Sequence, residues 1–213
     1  MTATIMRRLR DGTRAWHDAL EATPFSLALL DRTLPLDRYV GQLAAYRIIL
    51  DALETRLAGT DDETVAAVWR ADLAKVPLLE RDLAFFDMGE FPTETLDVAR
   101  QCAAAIDGQE PVALLGFLYV LEGSTLGALD LSWHVRATFD LTGEAGLAYY
   151  DSGDRGRWAG FTARMNAAVV CEPQQERVLD AAGTAYQWIA VTLTTLDPAN
   201  VGVPHTAAGT RDA

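Results

Sequence analysis

Apolar residues recur at three- and four-residue intervals along nearly the whole chain, and no stretch alternates long enough to mark a strand. The spacing predicts a first helix over residues 4–20, with Ile5, Leu9, Trp16 and Leu20 apolar and Arg7, Arg8, Arg10 and Arg14 on other faces. Pro24 interrupts it, and residues 25–30 form a short helical piece. Pro35-Leu36-Asp37 opens a long helix on which Val40, Leu43, Leu50, Leu53 and Leu57 fall at threes and fours until Gly59 stops it. Residues 61–86 read as two shorter helices broken near Pro77, residues 88–92 as a loop, and 95–106 as a helix ending at Asp107-Gly108. Pro111 starts a central helix that runs to about Phe139. Residues 141–156 carry four glycines and read as a loop, with a turn of helix over 145–150. Helices over 158–170 and 173–196 complete the set. The prediction is one all-α domain of about eight helices over residues 1–197, followed by a disordered tail over 198–213.

The central helix holds a contradiction. Leu115 to Leu129 is apolar nearly all round, the pattern of a buried helix, yet Gly123 and Gly127 sit in its middle on one face. Each costs about 0.5–1 kcal/mol against Ala in a helix interior. Bare backbone at that spacing serves either close packing of a second helix or a flat, bulky group laid on the helix. Ser124 and Thr125 stand ready to bond the carbonyls that the glycines loosen.

Charge narrows the possible partners. Eighteen basic against thirty acidic residues leave a net charge of −12, which excludes nucleic acid and an anionic membrane surface. Lys75 is the only lysine, and the remaining basic residues are arginines, suited to two-pronged contacts with carboxylates. Cys102 and Cys171 have no metal-binding spacing and read as reduced, intracellular thiols. The N-terminus lacks the apolar stretch of a signal peptide, and no uncharged run of eighteen apolar residues occurs. The expectation is a cytoplasmic protein.

Of three histidines, His205 lies in the tail and His134 follows Trp133 in the central helix. His17 sits near the end of the first helix, about two turns after Arg10 on nearly the same face. A single histidine suffices as the proximal ligand of a heme (haem, iron protoporphyrin IX), and a guanidinium two turns away would reach a propionate. Other metal chemistry finds no support. No Glu-xx-His pair for a di-iron site occurs, and no Cys/His cluster for zinc. Ser124 lies in no Gly-x-Ser-x-Gly elbow, and a phosphate-binding P-loop is missing.

The run Leu9-Arg10-Asp11-Gly12-Thr13-Arg14-Ala15-Trp16-His17-Asp18-Ala19-Leu20-Glu21 resembles the proximal helix of heme oxygenases. Tyr119-Val120-Leu121-Glu122-Gly123-Ser124-Thr125-Leu126-Gly127 is similar to the distal helix of the bacterial members that accompany phytochromes. Phe161 to Asn166, Glu176 to Leu179 and Thr184 to Tyr186 resemble the family's C-terminal helices. These anchors keep their order over nearly the whole helical part.

The resemblance implies a heme oxygenase-like fold that opens heme to biliverdin, carbon monoxide and ferrous iron with O2, heme being cofactor and substrate at once. It makes His17 the metal ligand and places Gly123 and Gly127 over the distal face, where a side chain would block oxygen from a meso carbon. Ser124 then stands where many members carry a carboxylate. Arg10 matches the basic position that binds a propionate, with Arg157 and Arg164 as candidates for the second. The implied partners are a ferredoxin with its reductase as electron donor and a bacteriophytochrome as acceptor of the bilin, with ring opening at the alpha meso carbon in that case. The chain carries Ala128 and Leu129 where the family commonly has Gly and then Gln or Arg. Proton supply then falls to water, Ser124, Thr125 or Asp130. Two alternatives stand beside this reading: a heme carrier or sensor without turnover, and a thiaminase-like enzyme, which would need Cys102 or Cys171 in the pocket.

Overall fold

A computed structural model describes residues 3–87, 91–143 and 145–200. Among the described residues there are nine α-helices and no strand: α1 (Ile5–Glu21), α2 (Pro24–Leu30), α3 (Leu36–Ala58), α4 (Glu63–Val68), α5 (Val76–Phe86), α6 (Thr93–Asp107), α7 (Leu114–Thr138), α8 (Arg155–Ala168) and α9 (Glu172–Thr195). Short 3-10 turns fall at Ala71–Leu73, Pro111–Ala113 and Tyr150–Ser152. The elements laid out from spacing correspond to these, two of them over residues 61–86, but the break between those two lies ahead of Pro77. Pro77 does not break a helix; it stands in the first turn of α5, where its missing N–H is one the helix would leave unpaired anyway. The other N–H groups there are met by Glu54 of α3, whose Oε1 accepts from Lys75 N at 2.6 Å and Val76 N at 3.2 Å.

Side-chain caps place three other starts. Thr23 accepts from Ser26 N at α2, Asp62 from Val65 N at α4, and Asp154 from Arg157 N at α8. Each is worth about 1 kcal/mol, and the last begins α8 at Arg155, three residues earlier than its apolar pattern suggests.

α7 is the hub. Leu114, Leu115, Phe117, Leu118, Val120 and Leu121 are buried, each contributing roughly 1.5–3 kcal/mol, and the helix packs against α9, α3, α2 and α8. The helical run Pro111–Thr138 is long and apolar enough to cross a membrane, but most of it is buried inside this bundle, as befits a core helix. α1 behaves differently along its length. Ile5, Met6, Leu9 and Thr13 seal against the bundle, while residues 14–19 are exposed, so its second half stands clear of the core. α1 and α7 share α2 and α9 as neighbours, and that arrangement opens a space between them.

Of the expected tail, residues 198–200 are among those described, and Arg38, itself only 8% exposed, donates to the Asn200 carbonyl. Residues 201–213, with His205, and residues 88–90 lie outside the described part.

Candidate functional site

The space between α1 and α7 is a cavity of about 810 Å³, within the size range of small-molecule and cofactor sites. Arg10, Arg14 and His17 line it from α1, and Gly123, Ser124 and Gly127 line it from α7. The His17 side chain is 57% exposed, with Nδ1 at 3.6 Å from Glu21 Oε1 one turn on and 4.0 Å from Asp18 Oδ1. Arg10 bonds Asp11 at 3.0 Å at the rim. Arg7 reaches Asp11 as well, and Arg8 holds Glu176. Three of the four clustered arginines are therefore already matched with acids.

Neither glycine lies against the backbone of another helix. A methyl group at Gly127 would meet no atom within 4 Å, and one at Gly123 would meet only the Trp158 ring, at 3.3 Å. The helix is continuous through this segment, where Ser124 Oγ donates to the Leu121 carbonyl at 2.8 Å and Thr125 Oγ1 to the Glu122 carbonyl at 2.7 Å. Close packing is instead the task of Gly116, where a methyl group would drive into the Val178 carbonyl and lie 2.6 Å from Ala182 N of α9. Ala128 faces the cavity, whereas Leu129 lies against Gly153 outside it. Asp130 lines the cavity; Thr125 is buried away from it.

The inner wall is phenolic. Tyr46, Tyr149 and Tyr150 line it together with Gln42. Tyr150 Oη donates to Gln42 Oε1 at 2.6 Å, while Tyr149 Oη, buried, makes no well-formed hydrogen bond with the described residues. A carboxylate fixes the backbone that carries these rings. Asp82, fully buried on α5, accepts from Ala148 N and Tyr149 N, each at 2.8 Å, and Tyr39 Oη donates to the Gly146 carbonyl at 2.8 Å. Burial pushes the Asp82 carboxyl above its ordinary value, against the two N–H groups that favour its charge. Burial likewise raises the phenols, Tyr46 to about 12 and Tyr149 and Tyr150 further, so all three keep their protons at neutral pH.

Glu122, which does not line the cavity, joins two cations. Its Oε2 lies 2.7 Å from Lys75 Nζ and its Oε1 2.7 Å from Arg157 Nε. Lys75 also donates to the Leu73 carbonyl at 2.7 Å and Arg157 to the Ser152 carbonyl at 2.6 Å. Burial lowers the Lys75 pKa, and the carboxylate of Glu122 opposes the shift.

Five of the residues singled out from sequence thus meet at one cavity: His17, Arg10, Gly123, Ser124 and Gly127. Two do not. Arg157 is taken up by Glu122 and Ser152, and Arg164 donates from Nε to the Val68 carbonyl at 2.9 Å; neither lines the cavity. Arg14 does, and its place one turn after Arg10 was the available signal. Neither Cys102, buried, nor Cys171, exposed, is part of the wall. The phenolic wall was missed because Tyr149 and Tyr150 sit in a glycine-rich stretch without helical periodicity.

Comparison with known proteins places this geometry. The sequence pattern of the family described as heme oxygenase matches residues 3–194. No curated protein sequence matches the chain. Among solved structures, heme oxygenase-1 of the cyanobacterium Synechocystis, crystallised with heme, superposes with a TM-score of 0.82 at 18% identity, over 92% of this chain and 93% of that one. Heme oxygenase-2 of Synechocystis, crystallised with heme and NO, gives 0.83 at 21% identity, over 94% of this chain and 89% of that one. The heme oxygenase of Leptospira interrogans gives 0.80 at 18% identity, over 92% and 99%. At these identities the superpositions speak for the fold, and the match over 3–194 speaks for the family. The chain belongs to the heme oxygenase family, enzymes that degrade heme and use it as both cofactor and substrate.

Proposed function

We propose that this protein opens heme to biliverdin, carbon monoxide and ferrous iron, with O2 as oxidant and electrons drawn from a reduced protein such as a ferredoxin with its reductase. One observation carries the reading: an imidazole on α1 and a helix face stripped of side chains on α7 line the same cavity. The donor set fits the group. His17 offers a neutral imidazole nitrogen to iron, and Arg10 with Arg14 offers two guanidiniums to a pair of carboxylates. Bound heme supplies the iron at which O2 is reduced and the carbon that is oxidised.

The protein's own part is orientation, exclusion and proton supply. Heme would lie between α1 and α7, against the part of α7 where Gly123 and Gly127 carry no side chain. Ser124 and Asp130, both on the cavity wall, are the groups from which protons enter. The acidic balance and two free thiols support a cytoplasmic setting. The likeness of Tyr119 to Gly127 to phytochrome-associated relatives supports a bilin-binding photoreceptor as the product's destination.

The test is direct. Purified protein mixed with hemin should give a sharp Soret band, which on adding ascorbate, or ferredoxin with its reductase, under air should fade as the red biliverdin absorption rises. His17→Ala should abolish that conversion. A Soret band that persists under reductant and air would leave a heme carrier, and none at all would leave neither.

A further inference from the structure

Tyr149, on the inner wall, buries a hydroxyl that makes no well-formed hydrogen bond with the described residues. Its side chain is 2% exposed, with Ser124 the nearest polar neighbour of its Oη. A buried hydroxyl in that condition costs about 1–3 kcal/mol, and a phenylalanine would pack the same ring without the penalty. The surroundings are too well tied for the orphan to be an accident of loose packing. Asp82 holds the backbone N–H of Tyr149 and of its neighbour Ala148, Tyr150 is bonded to Gln42, and the Tyr46 and Tyr149 rings meet edge to face at 5.8 Å. Ser124, between the two glycines in sequence, gives its own proton to the Leu121 carbonyl, so it can meet Tyr149 Oη only as an acceptor. Both side chains line the cavity, so a molecule lying there competes with Ser124 for the phenol's proton.

We propose that Tyr149 donates a hydrogen bond into the cavity, to the water or diatomic ligand lying against the Gly123–Gly127 face. This role rests on the heme-degrading reading above. Tyr149 adds a donor to a wall on which Ser124 stands where many relatives carry a carboxylate, and burial keeps that donor protonated at working pH. Asp82 is the positioning residue, acting only through the backbone that it clamps.

Carbon monoxide on the reduced, hemin-loaded protein is the probe, read by infrared spectroscopy. Wild type should show a lower C–O stretching frequency than Tyr149→Phe, and its band should move on transfer to D2O while the variant's does not. Hemin affinity should change by less than about threefold. The apoprotein carrying Tyr149→Phe should melt at or above the wild-type temperature, because an unpaired hydroxyl is removed; a hydroxyl with a merely structural role would lower it. Equal C–O frequencies in the two proteins overturn the assignment, and so does a wild-type band insensitive to D2O, which decides the matter even if the variant fails to fold. A chain that gives no Soret band removes the functional reading and this one together. Normal turnover with an unchanged C–O stretch removes Tyr149 alone.

Discussion

Lys75 and Glu122 meet at 2.7 Å with both side chains almost sealed from water, 2% and 1% exposed. The carboxylate belongs to the residue immediately before Gly123, so the ion pair ties the α7 glycine segment to the turn leading into α5, and Arg157 ties it to α8. Removing Lys75 leaves Glu122 with Arg157 as its remaining cation and one carboxylate oxygen without a partner. Lys75→Met should therefore cost about 1.5–3 kcal/mol, a fall of roughly 5–10 °C in melting temperature for a chain of this size. Arg100→Ala, which opens the exposed 2.7 Å pair with Asp97, should cost about 0.5 kcal/mol or less. Calorimetry on the two variants checks this, and equal losses would contradict it.

Two glycines on one helix should respond in opposite ways. Gly127→Ala meets no neighbour, so the apoprotein should keep its stability or gain about 0.5–1 kcal/mol of helix propensity, while the new methyl intrudes on the cavity and weakens hemin binding or turnover. Gly116→Ala collides with the α9 backbone and should lose about 1–3 kcal/mol or more. Melting curves of the two apoproteins, followed by hemin titration, separate them. Similar destabilisation by both would mean that Gly127 faces packed protein.

Asp82 gives a pH signature. Its folded carboxyl is held above the ordinary 3.8, so the native state keeps a proton over a range where the unfolded chain has lost it. Stability from this group is therefore greatest below the ordinary value and falls as pH rises through the raised one. Asp82→Asn lacks that decline. It should also be less stable throughout, by about 1–3 kcal/mol, because its amide has one oxygen where two N–H groups need acceptors. Melting temperatures from pH 4 to 7 should show the gap between wild type and variant narrowing as pH rises; parallel profiles would refute the assignment.

The thiols should differ sharply. Burial pushes Cys102 up to about 12, while Cys171 is exposed at the start of α9. An aromatic disulfide reagent at pH 8 should titrate one thiol per native chain and two after denaturation. Two thiols reacting at the same rate in the native protein would place Cys102 at the surface.

Most of the helices were legible from spacing, since a bundle rewards apolar residues at threes and fours wherever they fall. Side-chain direction was not. Arg157 sits at a plausible distance along the chain to serve a ligand, yet its guanidinium turns toward Glu122, and nothing in a one-dimensional pattern tells which face of α8 meets α7. Lys75 reads as an ordinary surface charge until the fold buries it. Gly116 hides within an apolar run, and only the approach of α9 explains it. His17, Arg10, Gly123 and Gly127 were readable because two helices carry them at regular intervals. Tyr149 and Tyr150 were not, because a carboxylate from a distant helix holds them.

The Ser124 hydroxyl is moored to its own helix, at the Leu121 carbonyl. A hydroxyl held this way is a swivel: one rotation about its first side-chain torsion trades the carbonyl for another acceptor while every backbone atom stays put. Such rotor flips take picoseconds to nanoseconds, whereas a shift of a whole buried helix takes microseconds or longer. The chamber therefore has a fast way to rewire its polar contacts, built into a frame that itself stands still.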